Sequence, residues 1–153
     1  MYPMLAGLHP LLGDEPLGYF HNRGGEWIPW TTRVNGWKGR DASHDVVAVI
    51  TGSKTSSAGE AVTLSFRRRP HTRSFGERTS GHSTANQSVA LSDGALIALT
   101  TGLMADRDRD VAHGSIRPDE MVDAPNAVHL DDDPAIRAAT AWLRTQPCAG
   151  PPA

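Results

Sequence analysis

The passage that most constrains this chain is Val46-Val47-Ala48-Val49-Ile50-Thr51 together with the helix-like segment that follows it. The run is apolar and β-branched without polar alternation, which predicts a strand buried on both faces, as in a helix-covered parallel sheet. Gly52-Ser53-Lys54-Thr55-Ser56 breaks it. A helix is then expected from Ala58 to about Phe66, closed by Arg67-Arg68-Arg69-Pro70. The three arginines complement the negative end of the helix dipole, and the proline cannot continue the helix. A strand that turns directly into a helix points to the α/β class.

The rest of the chain fits around this unit. With 153 residues there is room for one domain. Pro3 to Leu12 predicts a short apolar helix, stopped at Gly13. From Leu17 to Arg40, glycines alternate with Tyr19, Phe20, Trp27, Trp30 and Trp37, a pattern of short strands and packed loops. Arg73 to Gly76 reads as another short strand. Gln87 to Ala90 and Ala95 to Thr101 flank Leu91-Ser92-Asp93-Gly94, and Asp-Gly between apolar runs signals a hairpin. Asp106-Arg107-Asp108-Arg109-Asp110 reads as a solvated, self-neutralised turn leading into Val111 to Pro118. The last helix has Asp133 as N-cap and Pro134 in its first turn, with Ile136, Ala139, Thr140 and Leu143 on one face. Residues 1–145 form the expected domain, and 146–153 a loose tail.

Charge and composition remove several functions. Fifteen Lys and Arg oppose 17 Asp and Glu, a net charge of -2, so neither a generally basic nucleic-acid binder nor a polybasic membrane anchor fits. The longest uninterrupted apolar runs have five residues, against roughly 20 for a bilayer-spanning helix. The N-terminus lacks a basic region and reaches Pro10 too early for a signal peptide, which makes a cytoplasmic setting the default expectation unless an export signal lies further upstream. Cys148 is the one cysteine, so no intramolecular disulfide forms. The seven histidines lack zinc-ligand spacing, and no zinc is expected. Asp106, Asp108 and Asp110 mimic a calcium loop, but Val111 and Arg117 stand where it needs Gly and Glu. Asn86-Gln87-Ser88 is a glycosylation sequon that carries little weight without a secretion signal. No glycine motif for a nucleotide is present, and no cofactor is expected.

The chemistry concentrates at Thr55-Ser56-Ser57. A serine at a helix N-terminus lies where unpaired N–H groups and the positive dipole end converge, and such donors steady the oxyanion formed when a hydroxyl attacks a carbonyl. It still needs a base to take its proton. Ser57-Ala58-Gly59-Glu60 fits equally well as a capping box that only satisfies helix-end donors. His71, His82 and His113 are each either a general base or a solvated loop residue.

Thr55-Ser56-Ser57-Ala58-Gly59-Glu60 resembles the nucleophile motif of the tail-specific (C-terminal processing) serine peptidases. Further matches follow in order. Gly76-Glu77-Arg78-Thr79-Ser80-Gly81 resembles the family's G-E-x-T-x-G, Leu91-Ser92-Asp93-Gly94 its hairpin, and Ile116-Arg117-Pro118-Asp119 its P-D element. Asp133 to Arg144 resembles its terminal helix. The resemblance implies a crotonase- or ClpP-like α/β core with Ser57 as nucleophile, Ser56 as the alternative, and the backbone N–H of Ser57 or Ala58 in the oxyanion hole.

Members with a Ser–Lys dyad place the lysine 25 residues after the serine, and here that residue is His82. The chain therefore resembles the lysine-lacking tricorn-like and retinoid-binding-protein-like branch, with His82 as a tentative base by register. The tricorn-like histidine lies upstream of the serine, and its downstream glutamate has no match near Val111 to Ser115. Met1 to Gly7 resembles the segment directly after the family's Gly-Gly turn, so the chain reads as the C-terminal half of a catalytic domain. Two functions follow as expectations: a serine peptidase acting on a peptide or protein, or a catalytically inactive remnant or peptide-binding module of the same fold. Substrate specificity and oligomeric state do not follow from the sequence.

Overall fold

The structure is a computed structural model that describes residues 1–14, 16–31, 39–123 and 132–147. It opens with two short helices, α1 (Tyr2–Gly7) and α2 (His9–Leu12), where the sequence predicts one. Pro10 explains the split, because it offers no N–H to the carbonyl four residues earlier and its ring crowds that carbonyl. Leu5 and Leu12 still turn into the core. Next comes an antiparallel hairpin, β1 (Tyr19–Asn22) and β2 (Trp27–Pro29). Residues 32–38 of the aromatic stretch lie outside the described residues.

The apolar run becomes β3 (Val47–Thr51) and is followed by α3 (Ala58–Phe66) and β4 (Thr72–Gly76). Strand β4 pairs parallel with β3 in register Val47–Thr72 to Thr51–Gly76. The predicted hairpin is longer than its apolar signal: β5 (Thr84–Ala90) pairs with β6 (Leu96–Ala105), which also pairs with β1. A two-residue strand, β7 (Glu120–Met121), adds to β4 in parallel. The result is one sheet in the order β2-β1-β6-β5 and a second, parallel sheet in the order β3-β4-β7. Helix α4 (Pro134–Arg144) closes the described chain.

Helix α3 is the centre of this arrangement. Glu60, Ala61, Thr63, Leu64, Ser65 and Phe66 are all buried. Its inward hydroxyls are satisfied within the helix, Thr63 Oγ1 by the Gly59 carbonyl at 3.0 Å and Ser65 Oγ by the Ala61 carbonyl at 2.8 Å. Ala61, Leu64 and Phe66 join Leu5, Leu12, Leu17, Trp30, Met104, Ala112 and Ile116 in one core. A buried leucine or phenylalanine in such a cluster contributes about 1.5–3 kcal/mol.

Arg69, just past α3, is buried yet donates to the carbonyls of Leu11, Pro70, Ala42 and Ser43 and to Thr72 Oγ1. It ties α2 and the loop before β3 to the start of β4. Burial, and then the charge of Arg107, lower its pKa.

Three expectations need correction. Strand β3 is an edge of its sheet and is not buried on both faces; Ile50 is 42% exposed. Val47 and Val49 pack on the core, while Ile50 shares a face with its partner Phe75, which meets Trp142 of α4. In α4 the buried positions are Ala135 and Ala139, and Leu143 lies outside. The Asp106–Asp110 turn is not self-neutralised in solvent. Asp106 is buried, caps the amides of Asp108 and Asp110 at 3.0 Å, and pairs with Arg67 and Arg68. The arginines beyond the end of α3 are closer to that carboxylate than the sequence spacing suggests. Arg107 donates instead to the carbonyls of Ser65 and Leu12, and Arg109 lies over Tyr19 and Trp27. The expected loose tail falls mostly on 148–153, outside the described residues.

Gly76 ends β4 at φ +117°, where an added β-carbon would run into the Thr51 carbonyl oxygen. Gly76→Ala is expected to lower unfolding free energy by about 3 kcal/mol in a denaturant titration, whereas Gly94→Ala in the open hairpin turn, where an added β-carbon meets nothing within 4 Å, carries only the backbone strain.

Candidate active site

Thr51 ends β3, and seven residues later, at Ala58, the chain enters α3 through a tightly pinned turn. Thr55 N–H donates to the Gly52 carbonyl at 2.8 Å, and Thr55 Oγ1 accepts from Gly52 N–H at 3.1 Å. Gly59 N–H donates to the Ser56 carbonyl at 2.8 Å. Between these anchors Ser57 is held at φ 49°, ψ -108°. Residues with a β-carbon rarely adopt such a conformation, which costs of order 1–3 kcal/mol and persists only where surrounding contacts enforce it. Ser57 is nevertheless exposed. A strained serine at a strand-to-helix turn is also the backbone arrangement of the nucleophile elbow in α/β-hydrolases.

Glu60 does most of the enforcing. It is fully buried. Its Oε2 accepts from Ser57 N–H at 2.9 Å, and its Oε1 accepts from Thr79 Oγ1 at 2.6 Å and Gly81 N–H at 2.8 Å. The Ser57 side chain faces the Glu60 amide, completing a capping box. The box and the strained serine therefore coexist rather than exclude one another.

Of the two amides at the helix start, Ser57 N–H already donates to the Glu60 carboxylate. Ala58 N–H has no hydrogen-bond partner among the described residues and remains available at the helix start.

The segment Gly76 to Gly81 clamps the same turn from the other side. Glu77 Oε2 accepts from Ser53 N–H at 3.2 Å, the Glu77 carbonyl accepts from Thr51 Oγ1 at 2.8 Å, and Ser80 N–H donates to the Thr55 carbonyl at 2.9 Å. Thr79 Oγ1 also accepts from Ile116 N–H at 2.8 Å. Asp119, three residues on, accepts from both Ser74 N–H and Ser74 Oγ. Sequence reasoning matched these residues as motifs but missed their part in holding Ser57. Only the tertiary contacts pair Glu60 with Thr79 and Asp119 with Ser74.

The histidines are placed differently from the register argument. His82 Nδ1 lies 3.0 Å from Ser80 Oγ and 3.3 Å from Ser56 Oγ. It is hydrogen-bonded to the neighbour of Ser57 and not to Ser57 itself. The chain reverses at the strained Ser57, and adjacent side chains there leave in different directions, so register alone could not choose between the two hydroxyls. His113 is exposed, between Ala112 and Gly114, whose carbonyls accept from the buried Ser83 Oγ. His71 occupies the turn before β4 at φ 53°.

A family model for peptidase family S41 matches residues 10–122. This chain belongs to peptidase family S41. The nisin-resistance protein of Lactococcus lactis subsp. lactis is 25% identical over 155 residues, 94% of this chain and 46% of that protein. The structure of a lipoprotein from Streptococcus agalactiae superimposes with a TM-score of 0.73 at 30% identity, over 94% of this chain and 49% of the other. A photosystem II D1 C-terminal processing protease shares the fold at 22% identity and a TM-score of 0.66, over 80% of this chain and 31% of its own. The chain thus spans about half the length of the curated relative it matches. The mixed α/β architecture is that of S41 protease domains. No helix among the described residues is long and apolar enough to cross a membrane.

Two substitutions separate strain from support. Ser57→Gly relieves the positive φ and is expected to leave the chain as stable as the parent or up to about 1 kcal/mol more stable. Glu60→Ala takes the acceptor from the buried Thr79 hydroxyl and from the part-buried N–H groups of Ser57 and Gly81 and is expected to cost about 3 kcal/mol; both are read from chemical denaturation.

Proposed function

We propose that this chain carries the nucleophile half of a serine-type, tail-specific peptidase site, with Ser57 as nucleophile and Ala58 N–H as an oxyanion donor. The strained, exposed seat of Ser57 at the start of α3 carries this reading. Ser57 Oγ attacks the carbonyl carbon of the scissile bond as its proton passes to a base. The oxygen becomes an oxyanion that accepts from Ala58 N–H and lies near the positive end of α3. Collapse expels the amine, which takes up the proton, and leaves an acyl ester on Ser57. Water then attacks the ester and returns the hydroxyl.

His82 is not hydrogen-bonded to Ser57, so its role in this reading is to hold Ser56 and Ser80 and thereby fix the turn. A second reading, a peptide-binding module of the same fold without turnover, draws support from the same observation. Among the described residues no histidine or lysine nitrogen is hydrogen-bonded to the Ser57 hydroxyl.

A fluorophosphonate probe separates the two. Parent and Ser56→Ala are expected to be labelled and Ser57→Ala to remain unlabelled; no labelling of the parent would leave the binding module standing. His82→Ala is expected to keep the pH dependence of labelling. Loss of a rise between about pH 6 and 7 in that variant would make His82 the base after all.

A further inference from the structure

The hairpin β5–β6 stands apart from the core in exposure and in charge. Every residue from Asn86 to Thr100 is exposed, and between Thr84 and Ala105 the one charged residue is Asp93, at the tip. Strand β5 is the end strand of its sheet, so one side of its backbone has no strand partner among the described residues. Proteins ordinarily blunt such an edge with lysine, proline or a short strand. Here the edge runs seven residues without any charge or proline.

The register identifies which groups face outward. Leu91 N–H donates to the Ala95 carbonyl, and Val89 and Gln87 lie opposite Ile97 and Leu99. In an antiparallel ladder the hydrogen-bonding residues alternate, so Gln87, Val89 and Leu91 turn their N–H and C=O toward β6. Asn86, Ser88 and Ala90 turn theirs to the open side. Beside this edge, Val89, Leu91, Ile97 and Leu99 share one face of the hairpin, each between 41% and 52% exposed.

The inner end of the edge reaches the candidate site. Strand β5 starts two residues after His82, whose Nδ1 touches Ser56 Oγ, and Gly81 N–H shares the Glu60 carboxylate with Ser57 N–H. A register shift between Ala85 and Asn86 bends the strand just beyond that point, and bulges commonly re-aim strands beside active sites.

We propose that the free edge of β5 binds an extended, uncharged, aliphatic-rich peptide segment by strand addition and leads it toward Ser57. This deepens the peptidase reading and rests on it for the identity of the peptide as substrate. Backbone pairing to Asn86, Ser88 and Ala90 supplies affinity, and alternate peptide side chains lie on the Val89, Leu91, Ile97 and Leu99 face. Charged residues at those alternate positions are disfavoured, since the hairpin offers no counter-charge for a side chain that loses its water.

The probe is a fluorescein-labelled decapeptide of Ala, Val, Leu and Thr, followed by fluorescence anisotropy on the full chain carrying Ser57→Ala. Saturable binding is expected. Ser88→Pro removes an outward N–H without breaking the β6 ladder and is expected to weaken binding about tenfold or more. The same peptide N-methylated at alternate residues, which leaves the protein untouched, is expected to lose binding similarly. Equal binding by parent and Ser88→Pro, or by plain and N-methylated peptide, overturns the proposal. So does a dimer in sedimentation velocity that Ser88→Pro dissociates and the peptide does not, which would give the edge to a second copy. Fluorophosphonate labelling of the parent tests the peptidase reading and anisotropy tests strand addition, so the two failures are distinguishable.

Discussion

A single buried carboxylate organises the site. Glu60 is wholly removed from water and accepts from the start of its own helix, from Thr79 and from Gly81. Three donors converge on two oxygens in the first turn of a helix, where the dipole favours negative charge. Because these donors come from segments about 20 residues apart in sequence, the carboxylate joins the turn after β3 to the loop after β4. Burial raises the penalty for leaving the Thr79 hydroxyl without its acceptor. The geometry of Ser57 follows from this constraint.

The far end of α3 is anchored by the opposite arrangement. There Arg67 and Arg68 lie against the buried Asp106 and its neighbours Asp108 and Asp110, while Arg69 gathers backbone carbonyls from the first helices. The exposed arginines contribute little each, as surface pairs do. The buried Asp106 matters more, since it also caps its own turn. With both ends fixed and nearly every side chain buried, α3 is a rigid base on which a strained residue can be carried without the strain relaxing through helix movement.

Much of this fold is legible in the residue order. The strand–turn–helix, the Asp-Gly hairpin and the Asp133-capped helix each carry local chemistry that fixes their type, and all three form where that chemistry places them. The departures have local causes as well. Pro10 divides the first helix, and β7 is two residues long, too short to show any period. The site was partly legible. Ser57 stands out by its motif and its place at the helix start, but the attachment of His82 to Ser56 depends on where a loop 26 residues away arrives.

Sequence by itself determined the α/β class, the serine at the head of a helix and the family pattern, because these rest on neighbouring residues and their spacing. Tertiary structure alone decided which helix-start amide stays open, which hydroxyl His82 meets and which edge of the hairpin is unpaired. Each of those outcomes depends on which segments folding brings together, and a donor pairs with whichever acceptor arrives within about 3 Å.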